Sequence, residues 1–217
     1  MPEGQKAIYF LTGPTREALQ RDPRLELFRK HRLEVLYLYE AADEFVLSTL
    51  AKYNDVDLVS ADQAKAEDLK LGAESEEDQQ EDEEQSAASE SIQTVIDRFK
   101  QLLGERVIDV RASGRLVDSP ACLVGDDSQM SGHMERMMRM MNRSEDLPKR
   151  VLELNPRHAL IKELAGLLAA NPQHPFVDTA CEHLFEGCML LDGYLTDPHK
   201  LVERMNAVLT EAAKRPN

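Results

Sequence analysis

The sequence predicts a mixed fold in two parts: a small α/β unit over residues 1–61, a linker over 62–90, and a mixed α+β unit over 91–217 ending in a helix pair. Three observations carry this reading. Short β-branched and aromatic runs alternate with helical patterns through the first sixty residues, the signature of crossover connections between parallel strands. Residues 62–90 are rich in Glu, Asp, Gln, Ala and Ser, with no large apolar side chain after Leu71, so they cannot bury enough surface to offset the entropy of ordering. The last forty residues hold two stretches of helical apolar periodicity. With 217 residues, 42% of them hydrophobic, the chain is long enough to bury a sizeable core.

In order along the chain, the run Ile8-Tyr9-Phe10-Leu11 predicts a strand that Gly13-Pro14 ends. Thr15 is placed to cap a helix from Arg16 to Gln20, and Pro23 to open a second that carries Leu25, Leu27 and Phe28. Leu33 to Tyr39 reads as a buried strand. Asp43 then caps a helix from Glu44 to Tyr53, and a short strand follows at 57–60. After the linker, Ser91 caps a helix with Ile92, Val95, Ile96, Phe99, Leu102 and Leu103 on one side, which Gly104 terminates. Val107–Arg111, Ala121–Val124 and Val151–Leu154 read as strands. Asn155-Pro156 reads as the start of the next helix, while His158 and His174 read as surface residues near helix starts.

Two helices finish the chain, the first with an unusually wide apolar face. The first runs from Pro175 to Leu191 and presents Phe176, Val177, Ala180, Cys181, Leu184, Phe185, Cys188 and Leu191. The second opens at Asp197-Pro198 and carries Leu201, Val202, Met205, Val208, Leu209 and Ala212. Such faces must be covered. Packing on the chain's own sheet and pairing with a second copy in a four-helix bundle both satisfy the pattern.

The net charge of −14 is unevenly spread, because nine acidic residues and no basic one fall between Glu74 and Glu90. A mildly acidic body with an acidic linker is a poor partner for nucleic acid, whose binding needs a basic surface. No apolar run approaches the ~20 residues that span a bilayer, so no membrane association is expected. The start lacks an apolar segment before a cleavage site, so no leader is expected. Cys122, Cys181 and Cys188 form no paired framework, which suits reduced thiols in a cytoplasmic protein. Phosphate-binding glycine loops, HExxH and GxSxG are absent. Cys181, His183 and Cys188 look like a metal cluster, but helix residues two apart point to different sides, so no metal and no cofactor are expected. Cys122 reads as a core thiol rather than a nucleophile. The run Met130 to Met141 places Met130, Met134, Met137, Met138 and Met141 within about 100° of helical arc, with Glu135, Arg136 and Arg139 opposite. It fits either an adaptable binding helix or an amphipathic helix packed on its own core.

Five segments resemble the heat-shock protein 90 chaperones, most closely those of bacteria: Glu3–Tyr9, Asp43–Phe45, Leu103–Arg111, Arg115–Ala121 and Leu154–His158. Their order and spacing fit that family from Glu3 to about Leu209. The resemblance implies that 1–61 is the last subdomain of the family's middle domain and 91–217 its dimerisation domain. It also implies that ATP and magnesium bind a domain upstream, so that the chain is not an enzyme by itself. It implies a homodimer whose interface, an intermolecular four-helix bundle, is drawn from Phe176, Val177, Ala180, Leu184, Cys188, Leu191, Leu201, Met205, Val208 and Leu209. It further implies binding of unfolded or partly folded client proteins, and of other chaperones, with Glu44, Phe45, Ser48 and the five methionines above touching the client. Bacterial members have tryptophan and asparagine where this chain has Phe45 and Ser48, which keeps the apolar character at 45 and changes the polar contact at 48. A dimeric scaffold without client binding is the alternative.

Overall fold

The computed structural model describes residues 5–40, 52–64, 91–125 and 149–214, together with Met1, Ala42, Asp43, Val46, Leu50 and Leu69. The acidic block 74–90, the methionine run 130–141, and Glu44, Phe45 and Ser48 lie outside them. Among the described residues the fold is mixed α+β, with two small sheets.

The first sheet contains β1 (Ile8–Thr12), β2 (Val35–Leu38), β3 (Lys52–Tyr53) and β4 (Val56–Ser60) in the order β2-β1-β4-β3. β1 pairs in parallel with β2 and with β4, as the alternating pattern predicts. Between β1 and β2 lie α1 (Arg16–Gln20), a 3-10 turn (Pro23–Leu25) and α2 (Glu26–Lys30). The Thr15 hydroxyl accepts from the Ala18 N–H and caps α1 as expected, and the Asp22 carboxylate accepts from the Arg24 N–H and caps the 3-10 turn that Pro23 opens. Tyr9, Leu11, Leu19, Leu25, Leu27, Phe28 and Leu33 form this unit's core, where Tyr9 meets Phe28 edge to face with ring centroids 5.0 Å apart.

The expected helix from Glu44 to Tyr53 is too long. Lys52 and Tyr53 form a strand that pairs antiparallel with Val56 and Asp57. Asn54 and Asp55, with φ of 50° and 65°, make the turn between them. Two adjacent residues with positive φ define the tight hairpin turn whose twist matches the strands, and Asn and Asp tolerate that region best after glycine. Nor is Asp43 outside its helix: it is itself helical, and its carboxylate accepts from the Glu40 N–H at 3.1 Å.

The second sheet contains β5 (Asp109–Ala112), β6 (Ala121–Val124) and β7 (Val151–Leu154) in the order β5-β7-β6, with β5 parallel and β6 antiparallel to β7. One face packs against α3 (residues 91–103), α4 (Ala159–Ala170) and α5 (Pro175–Leu191). Phe99, Val110, Leu152, Leu154, Leu164, Val177 and Cys181 are completely or almost completely buried in that core. Gly104, at φ 53°, ends α3, and α6 (Pro198–Lys214) follows α5.

Asn155 does not cap α4. It is buried in a turn, where its amide donates to the carbonyls of Val117 and Ser119 at 3.2 and 3.0 Å. The caps of α4 and α5 are histidines: Nδ1 of His158 accepts from the Leu160 N–H, and Nδ1 of His174 from the Phe176 N–H. A neutral imidazole supplies the acceptor that the first turn of a helix lacks. The packing generates a direct expectation. Phe99→Ala leaves a cavity among α3, α4, α5 and the sheet and should cost about 3–5 kcal/mol, read as a fall in the denaturant midpoint.

Candidate functional site

Two features lie outside the apolar cores: a buried polar joint between the sheets, and an uncovered apolar stripe on the last helix.

The joint forms because the second face of the second sheet is also covered. Every residue of β6 and β7 is buried, although Cys122 and Glu153 point away from the helices. The Glu153 carboxylate accepts from Arg111 at 2.9 Å and from the Ser113 hydroxyl at 2.8 Å, and pairs with Arg115 at 3.2 Å. Arg115 then reaches the first unit, donating to the carbonyls of Ala61 and Ala64 at 2.9 and 2.8 Å. In return, Glu26 extends from α2 into the loop before β6. Its carboxylate accepts from the N–H groups of Val117, Asp118 and Ser119 at 2.6, 2.8 and 3.1 Å, and from the Ser119 hydroxyl at 2.5 Å. Burial pushes this carboxyl up, but the four donors outweigh burial and hold it below the ordinary glutamate value.

Beside this cradle, the Arg24 guanidinium meets three carboxylates: Asp22 at 2.6 Å, Asp192 at 3.2 Å and Asp62 at 3.5 Å. Arg150 reaches Asp62 at 3.1 Å and lies over the Tyr194 ring, 5.4 Å from its centroid. For Asp62, burial raises the carboxyl, and the charges of Arg24 and Arg150 more than reverse that. For Arg24, burial opposes the charge, and its three carboxylates restore it.

The apolar stripe belongs to α6, which returns antiparallel along α5. Arg204 of α6 pairs with Glu186 of α5, and Leu201 and Val208, on the same side as Arg204, are half-buried. Val202, Met205 and Leu209 recur on the neighbouring side and are 48%, 42% and 59% exposed. Leu190 and Leu191, at the end of α5, are 52% and 69% exposed. Where the end of α6 meets the start of α5, His174, Pro175, Phe176, Thr179, Ala207, Val208 and Ala212 line an open apolar groove of about 490 Å³.

The structure thus separates the residues expected at one interface. Val177, Ala180 and Cys188 are buried in the chain's own core, and Phe176 and Leu184 pack half-buried against it. Leu191, Met205 and Leu209 face outward. All three cysteines are free and buried. Burial pushes the thiols of Cys181 and Cys188 up to about 12, and that of Cys122 well above its usual value, so none is poised as a nucleophile. Among the described residues no helix is long and apolar enough to cross a membrane, and no three His, Cys, Asp or Glu side chains converge as metal ligands would.

A family model described as Hsp90 protein matches residues 1–217, the whole chain. The chain belongs to the Hsp90 family. Among curated relatives, the chaperone protein HtpG of Oleidesulfovibrio alaskensis is 42% identical over 210 residues, which is 97% of this chain and 33% of that protein. The HtpG proteins of Nitratidesulfovibrio vulgaris and Desulfitobacterium hafniense are 38% and 39% identical over 97% and 99% of this chain. The chain spans about a third of the length of these relatives. Two of the segments that carry the Hsp90 resemblance, Arg115–Ala121 and Leu154–His158, are parts of the joint. The first contains the Glu26 cradle and the arginine that crosses to Ala61 and Ala64; the second contains the asparagine that fixes the cradle's carbonyls.

The cradle makes a prediction with a definite sign. A carboxyl held below its ordinary value stabilises the fold above about pH 4.5, and that stability is lost as pH falls through the lowered value. Glu26→Ala leaves three part-buried backbone donors without their acceptor and should cost about 1 kcal/mol at neutral pH. Its loss on acidification should be smaller than that of the wild type, as measured by urea unfolding at pH 7 and in the acid range.

Proposed function

We propose that this chain acts as the dimerisation and client-holding part of an Hsp90-type chaperone, with ATP hydrolysis residing elsewhere in the longer protein. The observation that carries this reading is the uncovered stripe of Val202, Met205 and Leu209 beside the exposed Leu190 and Leu191. Monomeric surfaces seldom leave so many large apolar side chains together on one helical hairpin. A second copy related by two-fold symmetry covers such a stripe with its own equivalent, giving four helices around a shared apolar seam. In this arrangement Leu191, Val202, Met205 and Leu209 meet the partner, Leu201 and Val208 hold α6 against α5, and Val177, Ala180 and Cys188 support α5 from below.

Client binding is the second half of the proposal. Glu44, Phe45 and Ser48, the positions that match the family's client contacts, are close in sequence to Tyr39, Val46, Leu50 and Tyr53, which are 43%, 56%, 38% and 58% exposed. An apolar surface of this kind holds partly folded chains without demanding one shape. Methionines 130, 134, 137, 138 and 141 add the side chain best able to adapt to varied partners. The work is non-catalytic, needs no cofactor within this chain, and is carried out in the cytoplasm on protein partners.

Leu209→Arg should convert dimers to monomers in sedimentation velocity with the circular dichroism spectrum unchanged, because the side chain is 59% exposed and supports no core. A dimer that persists in this variant and in Met205→Arg overturns the assignment of the interface. The chain should also slow the aggregation of a chemically unfolded luciferase, and Phe45→Ser should weaken that effect. A dimer with no effect on aggregation would instead be a scaffold.

A further inference from the structure

Asp192 occupies an unusual place for a carboxylate. It follows the last residue of α5 and forms that helix's C-cap: the N–H of Gly193 bonds to the Leu190 carbonyl and that of Tyr194 to the Met189 carbonyl, with Gly193 at φ 73°. A helix C-terminus carries partial negative charge, where a further anion is unfavourable. Asp192 is also buried, at 9% exposure. The charged groups facing it come from three other elements: Asp22 and Arg24 from the turn after α1, Asp62 from the turn after β4, and Arg150 from the residue before β7. Two guanidinium groups and two carboxylates cancel, so the surrounding charge does not offset the cost of burying the third carboxylate. The thiols of Cys122 and Cys188, which line the same small cleft, are uncharged and contribute no compensating ion.

We propose that the Asp192 carboxyl is a proton-operated latch on the joint: taking up one proton from solvent, it binds the end of α5, and with it the α5–α6 hairpin, more firmly to the Asp22–Arg24 turn and Asp62. Protonation removes the surplus negative charge at the helix end. It also changes a group that can only accept hydrogen bonds into one that donates as well, beside two carboxylates.

The electrostatics agree in sign. Burial pushes this carboxyl above the ordinary aspartate value; Arg24 and Arg150 oppose the rise, and Asp62 and Asp22 add to it. A group raised in this way stabilises the assembled joint below its ordinary value, and that contribution is lost as pH rises through the raised one. Glu26 and Asp62, both held low, remain ionised while Asp192 takes its proton, so the latch closes before the rest of the joint is titrated.

The test is thermal unfolding of the full chain from about pH 7.5 to about pH 4.5, across the range where a raised carboxyl titrates. Asp192→Asn mimics the protonated state. It should melt higher than wild type at the upper end, with the difference shrinking towards zero at the lower end. A melting difference that does not change with pH, whatever its sign, overturns the latch. Should asparagine disturb the helix end, native hydrogen exchange of the wild type serves in its place. Protection of the Tyr194 and Leu195 amides, both bonded to the Met189 carbonyl, should rise several-fold on acidification once intrinsic rates are removed. Constant or falling protection overturns the proposal.

Discussion

The fold is organised around the Arg24 guanidinium, which holds together three carboxylates from separate parts of the chain. A buried charge is tolerated only when matched, and a planar fork matches carboxylates in few orientations. Two apolar surfaces can slide or rotate over one another at small cost. A fork seated between Asp22 and Asp62 cannot, because a shift large enough to break either pair leaves a buried ion without its partner. The same logic governs Glu26, whose carboxylate fills a cup of three consecutive backbone N–H groups. Each unit has its own apolar core, and these charged groups tie one unit to the other.

The second sheet is built to receive this joint. Alternation along β7 sends Leu152 and Leu154 towards the helices and Val151 and Glu153 the other way. A glutamate at the centre of a three-stranded sheet would ordinarily be destabilising. Here Arg111 of the neighbouring strand, together with Ser113 and Arg115 of the following loop, satisfies it. Arg115 spends its remaining donors on carbonyls of the first unit. The polar face of one sheet thereby becomes the binding face for the other, and the loop from Ser113 to Ser119 serves both.

What could be read in the sequence followed the range of the interactions. The bounds of α5 and the start of α6 were plain, because proline at the first helical position and a continuous apolar period are local signals. The parallel strands were equally plain from their β-branched and aromatic runs. The hairpin at 52–57 was hidden, since two exposed strand residues carry no alternation, and only Asn54-Asp55 marked the turn. The histidine caps were hidden because imidazole is an uncommon cap, and Asn155-Pro156 offered a commoner one nearby. The joint was not legible at all. Its ion pairs join residues 38 and 88 positions apart, and before folding Arg24, Asp62 and Arg150 are indistinguishable from surface charge.

The C-terminal helices show how one pattern can have two physical causes. Both carry apolar stripes wider than a single contact requires, and the sequence allowed burial on the chain's own sheet or against a second copy. α5 takes the first course: Val177, Ala180, Cys181, Phe185 and Cys188 lie in the sheet's core, and its breadth reflects contact with α4 and α6 as well. α6 does so only along the line of Leu201, Arg204 and Val208, leaving Val202, Met205 and Leu209 open. The ion pair between Arg204 and Glu186 orients that open line, because it fixes how α6 is rotated against its neighbour. Since Asp192 closes α5 and also contacts Arg24, the rotation of the exposed stripe is referred back through one helix to the buried charges of the joint. The surface best suited to meet another chain is therefore set by the same residues that set how the two sheets meet.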